Sequence, residues 1–119
     1  MLELALASKT HTLIKRTEYL IADLGVSPQN IMLVTFTNNG TEAVGQISIS
    51  KTDFKTSKGI GIGSTIEDVV ATYGEPTKKS GNDTVYQYKL DNYYIFFDII
   101  DGKVLSIDYM NLDYYNSRK

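Results

Sequence analysis

The chain has 119 residues, no cysteine, no tryptophan, 42% hydrophobic and 22% charged residues, and a formal net charge of −2. This is the composition of one folded domain over residues 1–119, and it excludes a disulfide framework, a thiolate metal site and a cysteine nucleophile. The faintly acidic balance argues against a phosphate-tracking surface, so no nucleic-acid partner is expected. No apolar run reaches the roughly 18 residues of a membrane span. Met1-Leu2-Glu3 places an acid where a signal peptide carries lysines, so the localisation stays open: cytoplasmic for the chain as given, exported if a leader precedes it in a longer form.

Leu2, Leu4 and Leu6 alternate with Glu3, Ala5 and Ala7, the pattern of a short strand. The same run would also extend the helix that follows, since Leu and Ala are strong helix formers. That helix is carried by Leu13, Ile14, Thr17, Leu20, Ile21 and Leu24 and stops at Gly25. Residues 31–36 are a mostly apolar strand candidate, and Val44, Ile47 and Ile49 mark a second strand over 43–50. Asn38-Asn39-Gly40 between them supplies the positive φ of a tight hairpin.

Residues 51–63 read as a loop ending in Gly59, Gly61 and Gly63. Ser64-Thr65-Ile66-Glu67 fits a capping box, with Ser64 capping and Glu67 reaching back. Ile66, Val69, Val70 and Tyr73 form the apolar stripe of the helix it opens, and Gly74 and Pro76 end it. A three-stranded meander follows over about 84–90, 93–100 and 103–109. Asp101-Gly102 suits a two-residue type I′ turn, which places Ile100 opposite Lys103, Asp98 opposite Leu105, Phe96 opposite Ile107 and Tyr94 opposite Tyr109. In that register Tyr94, Phe96, Ile100, Leu105, Ile107 and Tyr109 share one face, and Tyr93, Ile95, Phe97, Ile99 and Val104 share the other. Both faces are then apolar, and both need a cover. The tail from Asn111 is polar apart from Leu112, Tyr114 and Tyr115.

Ser8-Lys9-Thr10 ahead of the first helix, Gly25-Val26-Ser27-Pro28-Gln29-Asn30-Ile31, and Thr35-Phe36-Thr37-Asn38 together resemble the amino-terminal end of UvrD/Rep-type DNA helicases, over about 35 residues. The resemblance implies a βαβ start, with residues 2–7 parallel to 31–36. It also implies that Lys9 reaches the β/γ-phosphates of a nucleotide and Thr10 holds magnesium. The phosphate loop departs from the family pattern, with Glu3 at its first glycine and Ser8 at the glycine before the lysine. A loop without those glycines lacks the backbone freedom to wrap phosphates.

From about residue 54, the glycines at 59, 61 and 63, the capped helix, Gly74-Glu75-Pro76 and the tyrosine-rich meander are similar to SmpA/OmlA-type envelope lipoproteins and β-lactamase-inhibitor-protein-like modules. That resemblance implies export. Two resemblances that meet near residue 45 imply either a recombined or designed chimera or a chance likeness in one of the two.

Other candidate sites read as structural. Gly59, Gly61 and Gly63 precede a helix start, where anions bind, but Ile66 occupies the third glycine position of a dinucleotide fingerprint. His11 is the only histidine, without an identifiable second ligand. Asp91, Asp98, Asp101, Asp108 and Asp113 lack the every-second-residue spacing of a calcium loop. In the register above, Asp98 and Asp108 fall on opposite faces. No catalytic residue, metal or cofactor is therefore expected.

The expected fold is α+β, with two helices packed on an antiparallel sheet of four to five strands. Residues 1–45 supply a helix and hairpin, and residues 46–119 the capped helix and meander. The expected function is a non-catalytic protein-interaction or self-associating module, not an enzyme, with Tyr86, Tyr88, Tyr93, Tyr94, Phe96 and Tyr109 meeting a protein partner or a second copy in a homodimer. The alternative is a degenerate helicase-like nucleotide-binding remnant acting through Lys9 and Thr10.

Overall fold

The computed structural model describes residues 31–38, 40–50, 55–90 and 93–117. The strand or helix expected before residue 25, the βαβ start, Lys9, Thr10, His11 and Asp91 lie outside the described residues. Among those described, six strands form one antiparallel sheet: β1 (Ile31–Asn38), β2 (Thr41–Ser50), β3 (Lys78–Ser80), β4 (Val85–Lys89), β5 (Tyr93–Ile100) and β6 (Lys103–Asn111). Their spatial order is β1-β2-β6-β5-β4-β3. The helices are α1 (Ile66–Tyr73) and α2 (Leu112–Ser117). The α+β class stands. The sheet has one strand more than expected because the exposed stretch Lys78–Ser80 pairs with β4.

Both hairpin turns form where the sequence places them. Asn38 pairs with Thr41, and Gly40 takes φ +80° in the two-residue loop between them. Asp101 and Gly102 take φ +53° and +75°, as a type I′ turn requires.

Beyond the second turn, the expected register is corrected. Ile100 pairs with Lys103 and Ile99 with Val104, but Asp98 pairs with Ser106, Phe97 with Ile107, Phe96 with Asp108 and Ile95 with Tyr109. Leu105 is the extra residue of a β-bulge. The cause is burial. Strict alternation from the turn would send Val104 and Ile107 to opposite faces, whereas the bulge lets both sink into the core at 2% and 0% exposure. Fully burying one such aliphatic side chain stabilises by about 1.5–3 kcal/mol, more than the roughly 1 kcal/mol of one ladder hydrogen bond.

The bulge also corrects the expectation of two apolar faces. One face now carries Val44, Ile47, Ile49, Tyr86, Tyr88, Ile95, Phe97, Ile99, Val104, Ile107 and Tyr109, all in one buried cluster. The other face is mixed.

Helix α1 lies on the apolar face, burying Val69 with Ile66, Val70 and Tyr73 packed alongside. Its cap sits one residue later than expected. Thr65 Oγ1 accepts from the Asp68 amide at 3.1 Å, and Asp68 Oδ2 accepts from the Thr65 amide at 3.3 Å. Ser64 is engaged elsewhere: its Oγ accepts from the Gly61 amide and its carbonyl from the Val104 amide. Gly63 takes φ +92° and donates to the Val104 carbonyl, and the Ile66 amide donates to the Gly102 carbonyl. Two of the amides at this helix start, those of Gly63 and Ile66, are thus bonded to Val104 and Gly102 of the β5–β6 hairpin. Tyr88 Oη donates to the Gly74 carbonyl at 2.8 Å, and Tyr73 Oη to Thr56 Oγ1 at 2.9 Å, pinning the far end of α1. Burial, aided by Glu75, pushes the Tyr88 phenol up to about 12.

Candidate functional site

The mixed face is built by residues that the bulge and the strand register bring together. Reading across the sheet, one rung runs Met32, Ser48, Asp108, Phe96, Gln87, Lys78. The rung toward α2 carries Gln46, Met110, Tyr94 and Lys89, and the rung toward the β5–β6 turn carries Ser50, Ser106, Asp98 and Val85. A polar strip of β2 and β6, joined by Asp98 at the turn end of β5, therefore lies beside Tyr94 and Phe96 of β5.

The aromatic strip is completed by α2, a helix formed by the tail that carries Tyr114 and Tyr115. Asn111 Oδ1 accepts from the Tyr114 amide at 3.1 Å, which starts the helix as a side-chain cap. Tyr114 then lies over Gly45, with its ring edge-on to Phe36 at 5.3 Å. Tyr115 lies 4.6 Å from Tyr94 and 6.0 Å from Phe96, ring centroid to ring centroid. The Tyr94, Phe96 and Tyr115 rings are half-buried, whereas Tyr114 is buried. At the turn end of the same face, Ile100 and Leu105 are 54% and 49% exposed.

In the polar strip, Asp98 accepts from Ser106 Oγ at 2.5 Å, and Gln46 Nε2 donates to Ser48 Oγ at 2.9 Å. Asp108 accepts from Ser48 and Gln46. Asp98 and Asp108 share this face, which corrects the expectation that they lie on opposite ones. Burial holds the Asp108 carboxyl above the usual carboxylate range; the Asp98 charge adds to this, and the Ser48 and Gln46 hydrogen bonds oppose it. A raised pKa means that the native state favours the proton. The stability tied to protonated Asp108 is complete below the unfolded-state pKa and is lost as pH rises through the native one. Asp108→Asn is therefore expected to raise the melting temperature at pH 7, with the gain shrinking as pH falls toward 3.8, the ordinary value. Thermal unfolding of both proteins across that range checks it.

Of the tyrosines expected at a partner surface, Tyr94 and Phe96 (the one phenylalanine among them) lie on this mixed face. Tyr86, Tyr88 and Tyr109 are core residues at 7%, 4% and 0% exposure, and Tyr93 packs against Tyr109 at 5.6 Å. The sequence reading missed Tyr115 as a partner of Tyr94, and the readable signal was Asn111 as a helix cap. Among the described residues no group of three or more His, Cys, Asp or Glu side chains could hold a metal ion. No described helix is long and apolar enough to cross a membrane.

The model of the UvrD/REP helicase N-terminal domain family matches residues 7–79, well over half of the chain. The match contains Lys9 and Thr10, runs through β1, β2 and α1, and ends in β3. It thus crosses residue 45, where the two resemblances meet, and the comparisons lend no support to the SmpA/OmlA resemblance or to a chimera. No curated protein and no solved structure matches the chain significantly. The order of motifs around Lys9, Thr10 and Thr35-Phe36-Thr37-Asn38, and a family match across most of the sequence, lead to one conclusion: the chain belongs to the UvrD/REP helicase N-terminal domain family.

Proposed function

We propose that this chain is a non-catalytic protein-interaction module of helicase descent, and that its contact surface is the mixed face of the sheet. The observation that supports this reading is the Tyr94–Phe96–Tyr115 cluster, half-exposed beside the polar strip of Gln46, Ser48, Asp98 and Asp108. Aromatic rings that are apolar on one side and carry a hydroxyl at the tip are enriched at protein interfaces, and a polar border supplies directional contacts. The catalytic alternative is disfavoured by Glu3 and Ser8, which replace glycines the phosphate loop needs for its backbone to approach phosphate.

The family match favours a second reading, nucleotide binding through Lys9 and Thr10. Thermal unfolding with millimolar magnesium and ATP separates the two. A nucleotide at 100 times its Kd stabilises a fold by about 2.7 kcal/mol. A flat response is the expected result. A rise in melting temperature that Lys9→Ala abolishes would replace the interaction reading with the nucleotide one.

A further inference from the structure

The mixed face has an unbalanced centre. Asp98 lies opposite Ser106 on one side and Val85 on the other. Phe96, the next residue of β5 on this face, lies opposite Asp108 and Gln87. Asp98 is therefore diagonal to both Asp108 and Gln87, about 7–8 Å away at ordinary sheet spacing. The two carboxylates stand close enough for the Asp98 charge to be felt at Asp108. Among the described residues no lysine pairs with either one. The lysines that share this face, Lys78 and Lys89, lie opposite Gln87 and Tyr94, on β3 and β4. The hydrogen bonds from Ser106 to Asp98, and from Ser48 and Gln46 to Asp108, come from neutral groups and leave the charge in place.

Gln87 adds a separate observation. It is 7% exposed, yet among the described residues its side-chain amide has no hydrogen-bond partner. No fully buried side-chain nitrogen or oxygen among them is left unpaired, so the Gln87 amide atoms touch solvent from a recessed position. A polar group sunk this far without a partner works against folding, and it is satisfied only by something from outside the fold.

Resting on the interaction reading above, we infer that this centre receives an arginine side chain of the partner protein, stacked on Phe96 and bonded to Asp98 and Gln87. Charge complementarity selects a cation, and the layout selects arginine among cations. A guanidinium is planar, stacks on an aromatic ring and carries five N–H donors in its plane. Phe96 supplies the ring, Asp98 the charged acceptor on one side, and the Gln87 amide oxygen a neutral acceptor on the other. Asp108, already bonded to Ser48 and Gln46, adds charge. A lysine ammonium has no plane to stack and concentrates its charge at one point.

An NMR titration of the full chain with the end-blocked tripeptide Gly-Arg-Gly tests this. The same peptide with citrulline, which keeps the plane and loses the charge, is the control. The arginine peptide is expected to shift the backbone amide signals of Phe96, Asp98 and Gln87 and to saturate in the millimolar range. The citrulline peptide is expected to bind about tenfold more weakly or worse, as is the arginine peptide to Asp98→Asn. That variant still accepts from Ser106. Gln87→Leu is expected to weaken the arginine peptide severalfold and to melt no lower than the wild-type chain, since it removes an unpaired amide. A lower melting temperature for Gln87→Leu would give the amide a role in the fold and overturn the inference. Equal binding of both peptides overturns it too, as do arginine binding that Asp98→Asn leaves unchanged and an arginine peptide that moves none of these signals. Failure of the interaction reading itself is read separately, as the melting-temperature rise with magnesium and ATP that Lys9→Ala abolishes.

Discussion

Replacing Phe97 with alanine is expected to cost about 3–5 kcal/mol of folding stability, and the same change at its neighbour Phe96 about 1–2 kcal/mol. The two residues are adjacent in sequence and identical in chemistry, so the difference isolates the face each occupies. Phe97 has no exposed surface, and its ring lies 5.3 Å from Tyr73 and 5.9 Å from Tyr88. Its removal leaves a cavity beneath α1, bounded by two tyrosines whose hydroxyls are already committed to Thr56 and Gly74. Those bonds restrain the collapse that would relieve the cavity. Phe96 lies half-buried on the mixed face, where solvent and the Tyr115 ring can fill the space it vacates. Against the roughly 5–15 kcal/mol that a domain has in total, the change at Phe97 brings the fold close to its limit. Urea midpoints of the two variants measure the contrast. Equal losses, or a larger one at Phe96, would contradict the assigned faces.

Gly45→Ala is expected to destabilise by about 1–3 kcal/mol through overpacking. An added methyl would sit 2.7 Å from Tyr114 Cδ1 and 2.8 Å from its Cγ. Cγ is the first ring atom, close to the backbone, so rotating the far end of the side chain does not relieve the contact. Helix α2 must shift as a unit, and the Asn111 cap with it. The glycine is thus kept for close approach, at the bulge that bends β2. Tyr114→Ala should absorb most of the clash, so the double variant is expected to be more stable than the sum of the two single losses. Denaturant unfolding of the four proteins in this cycle measures the coupling, and additive losses would show that α2 does not dock on Gly45.

Much of this arrangement is legible in the residues. Asn39-Gly40 and Asp101-Gly102 announce their hairpins because only a few residue types accept positive φ at both turn positions. The apolar stripe and flanking glycine announce α1 in the same way. The cap slipped by one because Ser64-x-x-Glu67 and Thr65-x-x-Asp68 both satisfy the local pattern. A non-local fact decides between them, namely that Ser64 is held by Gly61 and Val104.

The bulge at Leu105 is also non-local in origin, yet it left a mark. Val104 and Ile107 are three apart, out of phase with a two-residue period, while Ile107 and Tyr109 are in phase. Assuming an unbroken period from the turn moved Ile107 and Tyr109 to the wrong face and separated Asp98 from Asp108. Tyrosine was a poor guide to the surface for a related reason. Tyr88 is buried without penalty because its hydroxyl meets the Gly74 carbonyl, a partner the sequence places 14 residues away. The resemblance to helicases was readable from two motifs in order, and the family match extends it through α1 to residue 79.

The bulge at Leu105 decides which aromatic rings form the contact face, so the backbone register of the β5–β6 hairpin is the most direct thing to measure. NMR cross-strand contacts between backbone protons report it residue by residue. Asp98 opposite Ser106, Phe96 opposite Asp108 and Tyr94 opposite Met110, with ring contacts from Tyr115 to Tyr94, is the predicted result. Contacts pairing Phe96 with Ile107 and Tyr94 with Tyr109 would mean an unbulged hairpin, and would take apart both the mixed face and the function proposed for it.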